Sequence, residues 1–119
     1  MSQVIPIFRI FDIDKAKEFY VDWMGFQIDW EHRFGDNFPI YMQVSRGDIV
    51  FHLSEHHGDS TPGSKAYVIM KDLKAFHKEV TAKDYRYSKP GIGETPWNTL
   101  CMEVADPFGN KISFNENIK

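Results

Sequence analysis

His52, Glu55, His56 and His57 fall within six consecutive positions. Imidazoles and carboxylates are the side chains that hold zinc and related metals and that exchange protons near neutral pH. The spacing argues against a metal centre. "EHHGD" (55–59) fits no zinc-ligand pattern, and it opens a stretch, "SEHHGDSTPGS" (54–64), polar and turn-rich enough to be a surface loop. His52 differs, because it lies in an apolar run that reads as a strand. An imidazole without an orienting partner is a weak catalyst, so His52 is a candidate ligand contact.

Aromatic residues form a second candidate constellation. They make up 15% of the chain, with ten Phe, five Tyr and three Trp, and aromatics line pockets for flat organic ligands as well as building cores. Trp97 follows Pro96 in the Gly- and Pro-broken "GIGETPW", where burial under a helix is not expected. Trp30, Phe34 and Phe38 gather around the turn "RFGDNF", where they are candidates for stacking on a ligand or for cross-strand packing. Trp23 falls on a helical stripe and belongs to the core. Glu94 and Glu103 are candidate sources of negative charge, and alternation turns Glu103 away from the helices. "DPFG" (106–109) is a turn signature with no assigned chemistry.

Composition bounds the rest. A chain of 119 residues is one domain with room for a real core. Its net charge of −3 comes with no Lys/Arg cluster, so no nucleic-acid footprint is present. No apolar run reaches the roughly 20 residues that span a bilayer. One cysteine, Cys101, excludes an internal disulfide. With a start that lacks signal-peptide features, it leads us to expect a cytoplasmic protein. Phosphate loops, Ser-His-Asp arrangements and CxxC pairs are absent, and "GIGE" reads as a flexible loop.

These residues are positioned by a recurring order of elements. Residues 4–11 read as a strand. "DIDKAKEFYVDWMGF" reads as a helix capped by Asp12 or Asp14 and closed by Gly25. Strands follow at 26–33, 39–45 and 48–53. The order then restarts: a strand at 65–71, a helix from Asp72, and strands at 86–88, 99–105 and 111–115. Asp12-Ile13 and Asp72-Leu73 open the two helices about 60 residues apart, which points to internal duplication. The expected architecture is α+β: one domain of two βαβββ modules, about 1–57 and 64–119, whose curved mixed sheets enclose a cleft.

With "FRIFDIDKAKEFYVDWMGF" (8–26), "RGDIVFHLSE" (46–55) and "GETPWNTLCMEVADPFGNKISF" (93–114), the chain resembles the vicinal oxygen chelate superfamily and its glyoxalase/bleomycin resistance group. "GETPW" is similar to the bleomycin-binding branch. Metalloenzymes of the superfamily place ligands on four strands. Carried over, those positions are Ile5, His52, Ala66 and Ser113, of which His52 alone ligates strongly. The resemblance therefore implies no cofactor, no metal and no catalytic residue. It implies a homodimer that sequesters a flat, cationic small molecule, a bleomycin-type antibiotic being one candidate. Trp30, Phe34, Phe38 and Trp97 would stack on the ligand, with His52, Glu94 and Glu103 as polar contacts. The alternative is a metal-dependent lyase, isomerase or dioxygenase of the same superfamily.

Overall fold

The chain, described here over residues 2–118 in a computed structural model, forms two four-stranded mixed sheets ordered β1-β4-β3-β2 and β5-β8-β7-β6. One compact unit runs through Ser64 and takes in Asp106–Asn110; the other holds Lys65–Ala105 and the residues from Lys111 onward. Each sheet carries its helix on one face.

In the first unit β1 (Ile7–Arg9) pairs parallel with β4 (Ile49–Ser54), which pairs antiparallel with β3 (Tyr41–Arg46), which pairs with β2 (Gln27–His32). Alternation sends Phe8, Met42, Val44, Phe51 and Leu53 to one face, where all are buried. The Phe51 ring meets Phe8 at 5.2 Å, Phe26 at 5.4 Å and Tyr20 at 6.5 Å. Each large apolar side chain buried this way is worth roughly 1.5–3 kcal/mol. The covering helix starts as α1 (Ile13–Lys17), capped by an Asp12 carboxylate oxygen that accepts from the Lys15 amide at 3.1 Å. It continues as a π-helical segment, Glu18–Trp23, and ends at Gly25 with φ 76°.

The first strand is shorter than its apolar pattern. Val4, expected at the start of the strand, is 91% exposed, and pairing begins only at Ile7. Pro6 has no N–H to give a ladder, although its carbonyl accepts from the His52 amide at 2.9 Å.

In the second unit β5 (Lys65–Ile69) pairs parallel with β8 (Lys111–Asn117), followed by β7 (Thr99–Ala105) and the short edge strand β6 (Gly93–Glu94). Helix α2 (Leu73–Ala82) buries Leu73, Phe76 and Val80, and Phe76 packs edge-on against Phe114 at 5.1 Å. Asp72 does not cap this helix with its side chain. Its backbone sits at φ 59°, and the Glu116 carboxylate accepts from the Asp72 and Leu73 amides, each at 3.0 Å.

The strand expected at 86–88 is not one. Ser88 donates to the Tyr85 carbonyl and Lys89 to the Asp84 carboxylate, so the segment closes on itself as turns. The edge strand falls instead within "GIGE", at Gly93 and Glu94. No described helix is long and apolar enough to cross a membrane.

Candidate functional site

The face of the first sheet opposite its helix carries a chain of hydrogen bonds that starts at an irregularity. Between Ile28 and Trp30 the β2–β3 register shifts, leaving Asp29 as an extra residue. The bulge delivers the Asp29 carboxylate to three donors: Gln43 Nε2 at 3.0 Å, Ser45 Oγ at 3.0 Å and Gln27 Nε2 at 3.1 Å. The bonds from Gln43, then Ser45, hold its pKa below the usual carboxylate value.

A carboxylate accepts and cannot donate, so the polarity of the whole chain follows. Gln43 gives its NH₂ to Asp29 and turns its Oε1 to His52 Nε2, 2.9 Å away. That nitrogen must carry the hydrogen. His52 Nδ1 is then the acceptor for the Tyr41 hydroxyl at 2.7 Å. Burial lowers the His52 pKa, which favours the neutral ring. Burial, and then the Asp59 carboxylate, raises that of Tyr41, which keeps its proton. His52 thus has an orienting partner on both sides, which the sequence did not reveal.

Around this chain the aromatics assemble. The Trp30 indole stacks on the Tyr41 ring at 5.9 Å and 11°, and meets the His52 ring edge-on at 5.3 Å. The Phe34 ring stands at 90° to His32, 4.6 Å away, and meets His56 edge-on at 6.1 Å. Trp30, His32, Phe34, Tyr41, His56 and Asp59 line one open pocket of about 450 Å³. The Asp59 carboxylate is held by the Ser54 hydroxyl at 2.6 Å. Mostly apolar walls with one acid are suited to a flat cation, through stacking and cation–π attraction.

The candidate residues divide. Trp30 and Phe34 line this pocket, and His52 lies against Trp30 and Tyr41. Phe38 does not join them: it lines a neighbouring depression with Arg9, Phe11, Arg33 and Glu55, and its carbonyl accepts from Arg33 at 3.0 Å. Glu94, Trp97 and Glu103 belong to the second unit. Trp97 is 62% exposed in the turn between β6 and β7, and Glu94 is an exposed edge-strand residue. Glu103 forms an ion pair with Lys65 at 2.8 Å, which offsets its charge.

Tyr41, Asp29 and Gln43 were overlooked, as was the pocket role of His32, His56 and Asp59. Alternation did carry a signal for two of them, since Tyr41 and Gln43 share a face with His52 once β3 and β4 are paired. The bulge at Asp29 left none.

The metal positions require two corrections. Ile5 precedes β1, whose register sets Ile7 beside His52. Ala66 pairs with Ile112 on the helix face, and it is Tyr67 that stands beside Ser113. Ser113 itself accepts from Asn115 Nδ2 at 2.9 Å and touches Cys101 Sγ at 3.5 Å. Taken unit by unit, Ile7 with His52 and Tyr67 with Ser113 supply one imidazole and no carboxylate, and neither pair fits a divalent metal needing about three such ligands. Among the described residues no three His, Cys, Asp or Glu side chains converge to hold one.

With the fold and pocket in place, comparison with known proteins fixes the family. The sequence profile described as "Glyoxalase superfamily protein" matches residues 1–119. The chain belongs to the glyoxalase superfamily. This glyoxalase-superfamily chain is similar in structure to a bleomycin resistance determinant encoded on the transposon Tn5. The TM-score is 0.76 at 20% identity, over 98% of each chain. It is also similar to a bleomycin-binding protein solved with bleomycin: TM-score 0.73, 21% identity, 98% and 99% of the two chains. A third similar structure is TnmS3, an antibiotic-binding protein from Streptomyces sp. CB03234, with TM-score 0.67 and 22% identity over 98% and 97%. At such identities the likeness speaks to the fold. No curated protein matches the chain.

Proposed function

We propose that the protein binds and sequesters a flat, cationic small molecule, without a metal and without making or breaking a bond. The observation that carries the reading is the aromatic pocket on the first sheet. Stacked Trp30 and Tyr41 form one wall, Phe34 and His56 another, and Asp59 supplies the negative charge. Stacking and cation–π contacts of roughly 0.5–2 kcal/mol each add up to useful affinity when the walls are already in place. The hydrogen-bond chain from Asp29 to Tyr41 supports such preorganisation. Similar folds in proteins described as binding bleomycin and other antibiotics add to the case.

The functional unit of this reading is a homodimer. Tyr67 and Ile69 stand 55% and 64% exposed on the second sheet, on the face away from α2, and a second copy would cover them.

The test is a calorimetric titration of purified protein with metal-free bleomycin and a panel of planar cations, beside elemental analysis of the same sample. Binding of a planar cation by metal-free protein is expected. Stoichiometric iron, zinc, manganese or nickel, or chelator-sensitive turnover of a hemithioacetal, would favour the metalloenzyme and overturn the reading.

A further inference from the structure

Resting on that binding reading, we propose that the first-sheet pocket selects planar cations that donate N–H hydrogen bonds, of the amidinium or guanidinium class, over quaternary ammonium ions of similar size. The reason lies in the direction of the hydrogen-bond chain beneath it. Asp29 accepts from Gln43, Gln43 accepts from His52 Nε2, and His52 Nδ1 accepts from Tyr41. The only hydroxyl hydrogen of Tyr41 is therefore committed to His52. What the Tyr41 oxygen can offer a ligand is a lone pair.

The Asp59 carboxylate, on the same pocket wall, is acceptor-only as well. Two acceptors at the edge of a stacking surface match a flat cation whose N–H groups lie in the plane of its ring system. Such a cation stacks on Trp30 and Phe34 and reaches both oxygens from its edge. A trimethylammonium group still gains the cation–π and charge terms. It has no N–H to give, so it leaves the Tyr41 and Asp59 acceptors desolvated and unpaired on binding.

Three one-ring probes separate the terms: benzamidinium, phenyltrimethylammonium and neutral benzamide. Affinities would be read by calorimetry, and location by the NMR shift of the Trp30 indole N–H. Benzamidinium should bind about tenfold or more tightly than phenyltrimethylammonium. Tyr41→Phe keeps the ring that stacks on Trp30. It should cut that ratio several-fold, weakening benzamidinium while phenyltrimethylammonium, freed of an unpaired acceptor, binds as well or slightly better. Asp59→Asn should weaken both cations and leave benzamide alone, and thermal melts would confirm that both variants fold. Equal binding of the two cations, or a ratio indifferent to Tyr41→Phe, would overturn the selection and leave the binding function standing. Probes that shift the Trp97 indole but not that of Trp30 would overturn it too, again sparing the function. Failure of every probe at millimolar concentration would remove the pocket and this inference with it. The bleomycin titration then decides separately whether the protein binds its ligand elsewhere.

Discussion

The Tyr41 hydroxyl donates to His52 Nδ1 across 2.7 Å, and the two rings stand 5.1 Å apart at 79°. This contact makes a solitary strand histidine an inner link of an ordered chain that ends at Tyr41. It also gives His52 a measurable signature. Burial lowers its folded pKa beneath the ordinary imidazole value of about 6.5. The charged and titratable groups facing it are Tyr41 and, beyond Gln43, Asp29, with Asp59 near the Tyr41 hydroxyl.

The sign follows from linkage. The unfolded chain binds the proton more readily than the folded one, so this contribution is fully present above the unfolded value and is lost as pH falls through the folded value. An NMR titration of the His52 Cε1 proton should give a midpoint below that of an unfolded reference peptide. In stability measured against pH, His52→Gln should flatten the slope just below the unfolded value. A midpoint above the reference would mean that His52 is protonated in the fold and that its Nδ1 donates to the Tyr41 oxygen.

Trp97, on the second unit, is outside the lining of the first-sheet pocket, and its largely exposed ring leaves no core cavity when removed. Trp30→Ala should weaken the best ligand by roughly 1–3 kcal/mol, as loss of an aromatic anchor does, whereas Trp97→Ala should leave the affinity unchanged. The melting temperature should barely change. A large drop in the Trp97→Ala melt would make Trp97 structural, and a loss of affinity on its removal would move the site to the second unit.

Asp106 is a hub for which the turn signature gave no warning. Its Oδ1 accepts from the Phe108 and Asn110 amides at 2.9 Å each, and its Oδ2 from the Tyr20 hydroxyl at 2.7 Å and Asn110 Nδ2 at 2.9 Å. Burial nonetheless raises its pKa. Asp106→Ala strands the buried Tyr20 hydroxyl and the Asn110 backbone N–H, each worth about 1–3 kcal/mol when left unpaired, while Asn110 Nδ2 keeps the Arg9 carbonyl. Urea unfolding should show a loss of roughly 2–4 kcal/mol. Tyr20→Phe, which leaves Asp106 its other donors, should cost distinctly less.

Light scattering at micromolar concentration should give twice the 13.9 kDa chain mass. Replacing Tyr67 and Ile69 together by Ser should shift the mass toward that of one chain. A wild type that stays at one chain mass would count against the dimer.

How much of this was legible beforehand depended on the range of the signal. The repeat of strand, helix and three strands is written in local periods, and Asp12-Ile13 and Asp72-Leu73 mark both helices without reference to the rest of the chain. Helix-facing Phe8, Ile112 and Phe114 were likewise readable from alternation alone. Register was not. Whether Ala66 or Tyr67 stands beside Ser113 depends on how two strands far apart in the sequence align, and a slip of one residue exchanges the faces. The edge strand at Gly93 and Glu94 has no pattern of its own and exists because Leu100 and Cys101 offer it a ladder. Asp29 reads as one more polar strand residue until a bulge turns it toward Gln43. From there hydrogen-bond polarity passes through Gln43 to His52 and Tyr41, a property of placement that no residue in the chain carries by itself.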